Sequence, residues 1–271
     1  MTEQVCILLA TWNGAAHLPA QLDSFAAQDH KDWNLLAGDD GSSDGTLQIL
    51  QEFADAMQGE GRTVTITQGA GAGSTANFIS LLAQAPAQSW IALSDQDDVW
   101  MADRLSRGLA ALSKLPAEHP ALYCSATVMT DDDLQNPRPS RQVPRAPTFH
   151  NALLQNIAAG NTILLNKAAA KLAQDAAPAA LKIPGLAAHD WWLYQLITGA
   201  GGQVVYDTSP TLYYRQHSHN QIGANAGVRA ATTRLAMVMR GRFRAWNDGN
   251  IAALRAAEQA LTPQNRALLE Q

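Results

Sequence analysis

The chain has 271 residues, 46% hydrophobic and 16% charged, which argues against a disordered or fibrous protein and leaves room for one large α/β domain or two small ones. Nineteen basic against 24 acidic side chains give a formal net charge of −5, which argues against a broad nucleic-acid-binding surface. Cys6 and Cys124, both within apolar runs, are the only cysteines; that count excludes a disulfide framework and a cysteine-rich zinc site and fits a reducing compartment.

Residues 5–10 form a continuous apolar run closing in Thr11-Trp12-Asn13-Gly14, the pattern of a strand buried on both faces. A helix over about 18–27 follows, then a second strand over 33–38 that runs into Asp39-Asp40-Gly41-Ser42-Ser43-Asp44-Gly45, with Asp44 placed to cap a helix carrying Leu47, Ile49, Leu50 and Phe53. Residues 62–68 alternate as a short strand, 69–73 form a glycine-rich loop and 76–85 a helix. Residues 90–93 are a third buried strand ending in Ser94-Asp95-Gln96-Asp97-Asp98. This alternation predicts a mixed, mostly parallel sheet flanked by helices, with ligands at the carboxyl ends of the strands, where all three polar clusters fall.

Further on the pattern loosens. A strand is expected over 122–129, a polar loop over 130–147, a strand over 162–166, helices over 167–176 and 189–198, a strand over 204–206, a polar segment over 213–225 and a wholly helical end. No basic leader opens the chain and no run approaches the roughly 18 to 20 apolar residues of a membrane helix, so the expectation is a soluble, cytoplasmic protein.

Asp95-x-Asp97-Asp98 is the sharpest chemical feature, because carboxylates one residue apart at a strand end converge on a divalent cation such as Mg²⁺ or Mn²⁺ and bridge it to a diphosphate. Asp98 is expected to cap the next helix. Three readings stay open for the 39–45 turn: a ligand-binding turn, a plain helix-capping turn, or a calcium loop, the last weakened because Gln51 stands where a bidentate Glu is needed. Gly69-x-Gly71-x-Gly73 invites a dinucleotide reading but has Ser74 in place of the third glycine. His189-Asp190-Trp191-Trp192 sets a carboxylate beside two aromatics, an environment that suits a general base, though a helix cap with a core Trp pair fits the same letters.

In this order the segments resemble the inverting family 2 glycosyltransferases of GT-A fold, over about residues 4–225. The carrying motifs are Thr-Trp-Asn-Gly, Gln28, Asp-Asp-Gly-Ser-Ser-Asp-Gly-Thr, and Ser94-Asp-Gln-Asp-Asp-Val-Trp100 followed by Asp103-Arg104-Leu105. With His-Asp-Trp-Trp and Tyr-Arg-Gln-His-x-x-Asn, the spelling is most similar to the rhamnosyltransferase branch that builds bacterial surface polysaccharides. The resemblance implies that Thr11 and Asn13 line the nucleotide pocket, that Asp40 accepts from the pyrimidine N3, and that Asp95 lies near ribose and metal. It further implies that Asp97 and His217 ligate the metal, that Asp190 is the catalytic base, and that Gly160, Asn161, Trp191, Trp192 and Arg215 line the sugar and acceptor pocket, Arg215 also offsetting diphosphate charge.

The implied donor is dTDP-L-rhamnose, with UDP-galactose and UDP-N-acetylglucosamine kept open, and the implied acceptor is a glycan or lipid-linked glycan. A nucleotidyltransferase and a non-catalytic nucleotide-sugar-binding protein are the alternatives. The processive signature Gln-x-x-Arg-Trp is replaced by Tyr214-Arg215-Gln216-His217, which favours single additions. Residues 1–225 are expected to form the catalytic domain and 226–271 a helical extension. From Val228 onward seven Arg face three acids, a balance of +4. Two readings of that extension stay open: contact with anionic lipid at the inner face of the membrane, or a helical cap on the sheet or in a homodimer.

Overall fold

The computed structural model describes residues 3–143, 146–217 and 242–270. The first part alternates as the apolar runs require: β1 (Val5–Thr11), α1 (Leu18–Ala26), β2 (Trp33–Asp39), α2 (Thr46–Gln58), β3 (Val64–Gln68), α3 (Ser74–Gln84) and β4 (Trp90–Ser94). All seven residues of β1 are buried. Its odd residues Val5, Ile7 and Leu9 enter one core and its even residues Cys6, Leu8 and Ala10 the other, the period-two alternation of a sheet covered on both faces. Each buried Val, Leu or Ile side chain contributes on the order of 1.5–3 kcal/mol.

After β4 come β5 (Val99–Trp100), α4 (Arg104–Leu112), β6 (Ala121–Ser125), β7 (Val128–Thr130), β8 (Arg138–Pro139), α5 (Phe149–Leu154), a 3₁₀ turn (Gly160–Thr162), β9 (Leu164–Leu165), α6 (Lys167–Ala180), α7 (His189–Gly199), β10 (Gln203–Asp207) and β11 (Leu212–Arg215). The larger sheet runs β10-β6-β9-β4-β1-β2-β3, parallel except at β9, and a smaller sheet runs β5-β11-β7-β8. The small sheet carries the ends of β4 and β11 toward each other, since Val99–Trp100 pairs antiparallel with Leu212–Tyr213.

Three expectations need correction. The strand expected over 122–129 is two strands in different sheets, because the chain bends at Ala126, whose amide bonds the Asp207 carbonyl at 2.8 Å. The strand expected over 162–166 shrinks to Leu164–Leu165, because Thr162 ends a 3₁₀ turn and Asn166 caps α6. Residues 212–215 are a strand rather than the opening of a polar loop.

The described part of the extension comprises α8 (Arg242–Ala256), a 3₁₀ turn (Glu258–Ala260) and α9 (Pro263–Leu269). Ala253, Leu254 and Leu261 are buried in the main core, and α8 packs on α6 and α7. The expected boundary near 225 and the basic residues of 229–240 lie outside the described residues, as does most of the 213–225 segment. Among the described residues no helix is long and apolar enough to cross a membrane.

Asp207, ending β10, ties this layer together: its Oδ2 accepts from Arg107 Nη2 at 2.6 Å and Tyr123 Oη at 2.8 Å. Burial alone would raise this carboxyl, but those bonds and the Ser209 amide outweigh it and hold it below the ordinary value. A lowered folded pKa gives stability that is complete above the unfolded value and lost as pH falls through the folded one. Asp207→Asn should therefore cost about 1–3 kcal/mol at neutral pH. In urea melts at stepped pH, its gap to the parent should close as pH falls below about 4.

Candidate active site

The loop after β1 and the 39–45 turn after β2 are built as one unit. Thr11, 2% exposed, donates Oγ1–H to Asp39 Oδ1 at 2.9 Å. Asp39 also accepts from the Ser42 amide (2.8 Å) and Ser42 Oγ (2.6 Å). Asn13 has a positive φ of 46°; its amide donates to Ser42 Oγ at 2.8 Å, and its Oδ1 accepts from the Ser43 amide at 2.8 Å. Asp40 accepts from the amides of Gly71 (2.7 Å) and Gly73 (2.9 Å). Those glycines have φ of 66° and 88°, a region that favours glycine, so the glycine-rich loop is held by a carboxylate rather than shaped as a phosphate cradle. Asp44 accepts from Thr46 N and Oγ1 and from the Ala15 amide, while Gly45 occupies the cap position of α2. Asp44 thus joins the two loops instead of capping the helix from its N-cap position.

Gln96 and Trp12 stand inside the sequence motifs with no role that the motifs disclose. Gln96 clamps the Trp12 backbone from both sides, accepting from its amide at 2.9 Å and donating to its carbonyl at 3.0 Å. The backbone is fixed while the side chain stands 62% exposed at the mouth of the strand ends. A large exposed aromatic on a clamped backbone beside a polar turn is the signal that would have found it.

At the end of β4, Asp95 sits with Asp97 and Asp190 close enough for their charges to act on it. Burial first, then those two carboxylates, push Asp95 up to about 8. Asp97 Oδ2 lies 2.7 Å from His217 Nε2. Asp98 is wholly buried and held well above the ordinary range by burial and by Asp97 and Asp95. It does not cap α4: its Oδ2 accepts from Asn161 Nδ2 at 2.5 Å and its Oδ1 from the Arg215 amide at 3.2 Å. Behind it, Arg104 Nη2 donates to the carbonyls of Leu93 and Asn161, and its guanidinium lies 3.5 Å over the Trp100 ring.

Asp190 lies in the first turn of α7, where the helix dipole favours a negative charge. Its Oδ2 accepts from the Gly160 amide at 3.1 Å and its Oδ1 from the Trp191 amide at 2.6 Å. Position 160 admits no larger residue without a shift, since a Cβ there would come within 2.7 Å of His189 Nε2. His189 stacks on Phe78 with centroids 3.9 Å apart, and burial lowers its pKa.

The structure changes several expected pocket roles. Trp192 is fully buried in the main core, and Trp191 is 6% exposed with its indole N–H bonded to the Ala152 carbonyl, so both anchor α7 rather than line an open pocket. Asn161 is 3% exposed and serves the buried Arg104–Asp98 network. Arg215 is 6% exposed; its Nε donates to the Asp97 carbonyl at 2.9 Å and its Nη1 to the Asp132 carbonyl, so it braces two loops. Of that group, Gly160 and Trp191 touch the Asp190 carboxylate, both through their backbone amides.

Among the described residues no group of three or more His, Cys, Asp or Glu side chains forms a ready metal cage. The donor chemistry nevertheless suits a hard divalent cation: carboxylates crowd until one is pushed up to about 8, with an imidazole on a second.

A mostly parallel sheet with acidic residues at its strand ends and a second carboxylate at a helix N-terminus is the arrangement of a GT-A glycosyltransferase. Residues 6–170 match the family model described as glycosyl transferase family 2, and the chain belongs to that family. It is 27% identical over 248 residues to the dTDP-rhamnosyl transferase RfbG of Shigella flexneri, covering 87% of this chain and 81% of that one. A shorter match, 29% over 110 residues and 41% of each chain, is to the Escherichia coli UDP-Glc:alpha-D-GlcNAc-diphosphoundecaprenol beta-1,3-glucosyltransferase WfgD.

Two solved structures share the fold. Staphylococcus aureus TarS 1–349 in complex with UDP-GlcNAc aligns at TM-score 0.59 and 15% identity, over 98% of this chain and 86% of that one. The mannosyltransferase PcManGT of Pyrobaculum calidifontis, in complex with GDP-Man and Mn²⁺, aligns at 0.55 and 18%, over 100% and 79%.

Proposed function

We propose that this glycosyltransferase moves L-rhamnose from dTDP-L-rhamnose to a hydroxyl of a glycan or lipid-linked glycan, in one displacement that inverts the anomeric carbon. The observation that carries the chemistry is the convergence of Asp95 and Asp97 with Asp190, close enough for both to raise Asp95. Similarity to RfbG supports the choice of donor.

Thr11, Asn13 and Asp40 frame the nucleotide, with the exposed Trp12 ring beside them as a stacking surface for the base. Asp97, His217 and Asp95 would hold Mn²⁺ or Mg²⁺, which when bound neutralises charge on the departing diphosphate. Asp190 takes the proton of the acceptor hydroxyl as that oxygen attacks. Its two backbone bonds, from Gly160 and Trp191, aim the carboxylate. No enzyme nucleophile is needed, because attack and departure occur on opposite faces of one carbon.

Thermal-shift measurements against dTDP-L-rhamnose, UDP-galactose, UDP-N-acetylglucosamine and a GDP-sugar, each with and without Mn²⁺, test the donor. Ligand at about 100 times its Kd stabilises by about 2.7 kcal/mol. That corresponds to a Tm rise on the order of 5–10 °C for a chain of this size. The largest shift should come from dTDP-L-rhamnose with Mn²⁺; a larger one from a UDP- or GDP-sugar would overturn the donor assignment.

A further inference from the structure

His17 precedes α1 at its cap position, where Ser, Thr or Asp would ordinarily bond a first-turn amide, yet its side chain makes no cap bond. The ring is turned across the site instead. Its Nε2 lies 2.8 Å from Asp132 Oδ1, and its face stacks on His217 with centroids 5.0 Å apart and planes 16° from parallel. His217 in turn sets Nε2 2.7 Å from Asp97 Oδ2.

The turn that supplies Asp132 is itself stiff, since Asp131 accepts from the Gln135 amide (2.6 Å) and Asn136 Nδ2 (2.7 Å). Arg215, two residues before His217, also donates to the Asp132 carbonyl and to the Asp97 carbonyl. Four segments distant in the chain, at 17, 97, 131–136 and 215–217, therefore close into one ring of contacts around the His217 imidazole.

We propose that His17 is a positioning residue for His217: by stacking on its ring and being pinned by Asp132, it fixes the rotation that keeps His217 Nε2 on the Asp97 carboxylate. An imidazole on Cβ turns about one bond, and a second ring stacked on its face, with centroids 5.0 Å apart, opposes that turn. Outer partners that set ring orientation are worth about 10- to 100-fold in metal affinity. The functional consequence rests on the reading of Asp97 and His217 as cation ligands; the orienting contact does not.

The test uses the full chain with ¹⁵N-labelled histidine. In metal-free protein, His17→Ala should move and broaden the His217 ring signals, while His17→Phe, which keeps a flat stacking face but loses the Asp132 bond, should move them less. With dTDP as probe, His17→Ala should weaken Mn²⁺-dependent affinity about tenfold, His17→Phe should weaken it less, and His17→Ala should add nothing in a His217→Ala background. Unmoved His217 signals in His17→Ala, or effects of the two alanine variants that simply add, would overturn the proposal. If His217→Ala leaves Mn²⁺-dependent dTDP affinity unchanged while His17→Ala still moves the ring signals, the cation-ligand reading fails and the positioning contact stands.

Discussion

Asp190→Asn should lower transfer by about 10²- to 10⁴-fold, the range of a lost general base. That equals roughly 3–5 kcal/mol in the activation barrier. Nucleotide-sugar affinity should change little, because Asp190 bonds Gly160 and Trp191 rather than the loops at 11–14 and 39–45. The amide is not a perfect replacement. Asp190 uses one oxygen for each backbone N–H, and asparagine can accept with only one atom, so one of those bonds is lost at about 1 kcal/mol. Single-turnover rates with donor affinity and Tm measured alongside separate the two effects: a rate drop far beyond the small stability cost marks a base, and an unchanged rate contradicts the assignment.

Asp97→Ala should remove the metal dependence of dTDP binding. Mn²⁺ should strengthen dTDP binding to the parent protein, while the variant should bind dTDP equally weakly with and without it, as read by calorimetry. The same substitution removes one of the two charges that raise Asp95 and deprives His217 Nε2 of its carboxylate. The metal-free variant should therefore be no less stable than the parent, since relief of repulsion offsets the lost hydrogen bond. Metal-stimulated dTDP affinity equal to the parent's in Asp97→Ala would remove these carboxylates from the cation site.

The first half of the fold was legible because its strands are buried on both faces, so Val5 to Ala10 and Trp90 to Leu93 stand out as unbroken apolar runs. Beyond them, the letters hid a change of sheet: residues 122–129 read as one strand because no glycine, proline or charged residue interrupts them, yet the chain bends at Ala126 to answer Asp207 from β10. The same limit governs the site. The acidic pair after β4 and Asp190 at the start of α7 could be found from local pattern, since each follows an apolar run or opens a helix. Asp98 could not be understood locally, because its partners are 63 and 117 residues away. Read alone it is a cap; in the fold it is the buried post on which Asn161 and the Arg215 strand hang. Trp192 shows the converse, since an aromatic beside a candidate base reads as shelter for chemistry and here fills the core beneath it.

The central claim, a single displacement assisted by Asp190, is tested most directly by the stereochemistry of the linkage formed. Transfer from dTDP-L-rhamnose to a lipid-linked glycan acceptor, with the anomeric ¹³C–¹H coupling of the product read by NMR, should give the configuration opposite to the donor's. A product that retains the donor's configuration would contradict the account, because retention requires either a second displacement or attack from the face the nucleotide leaves.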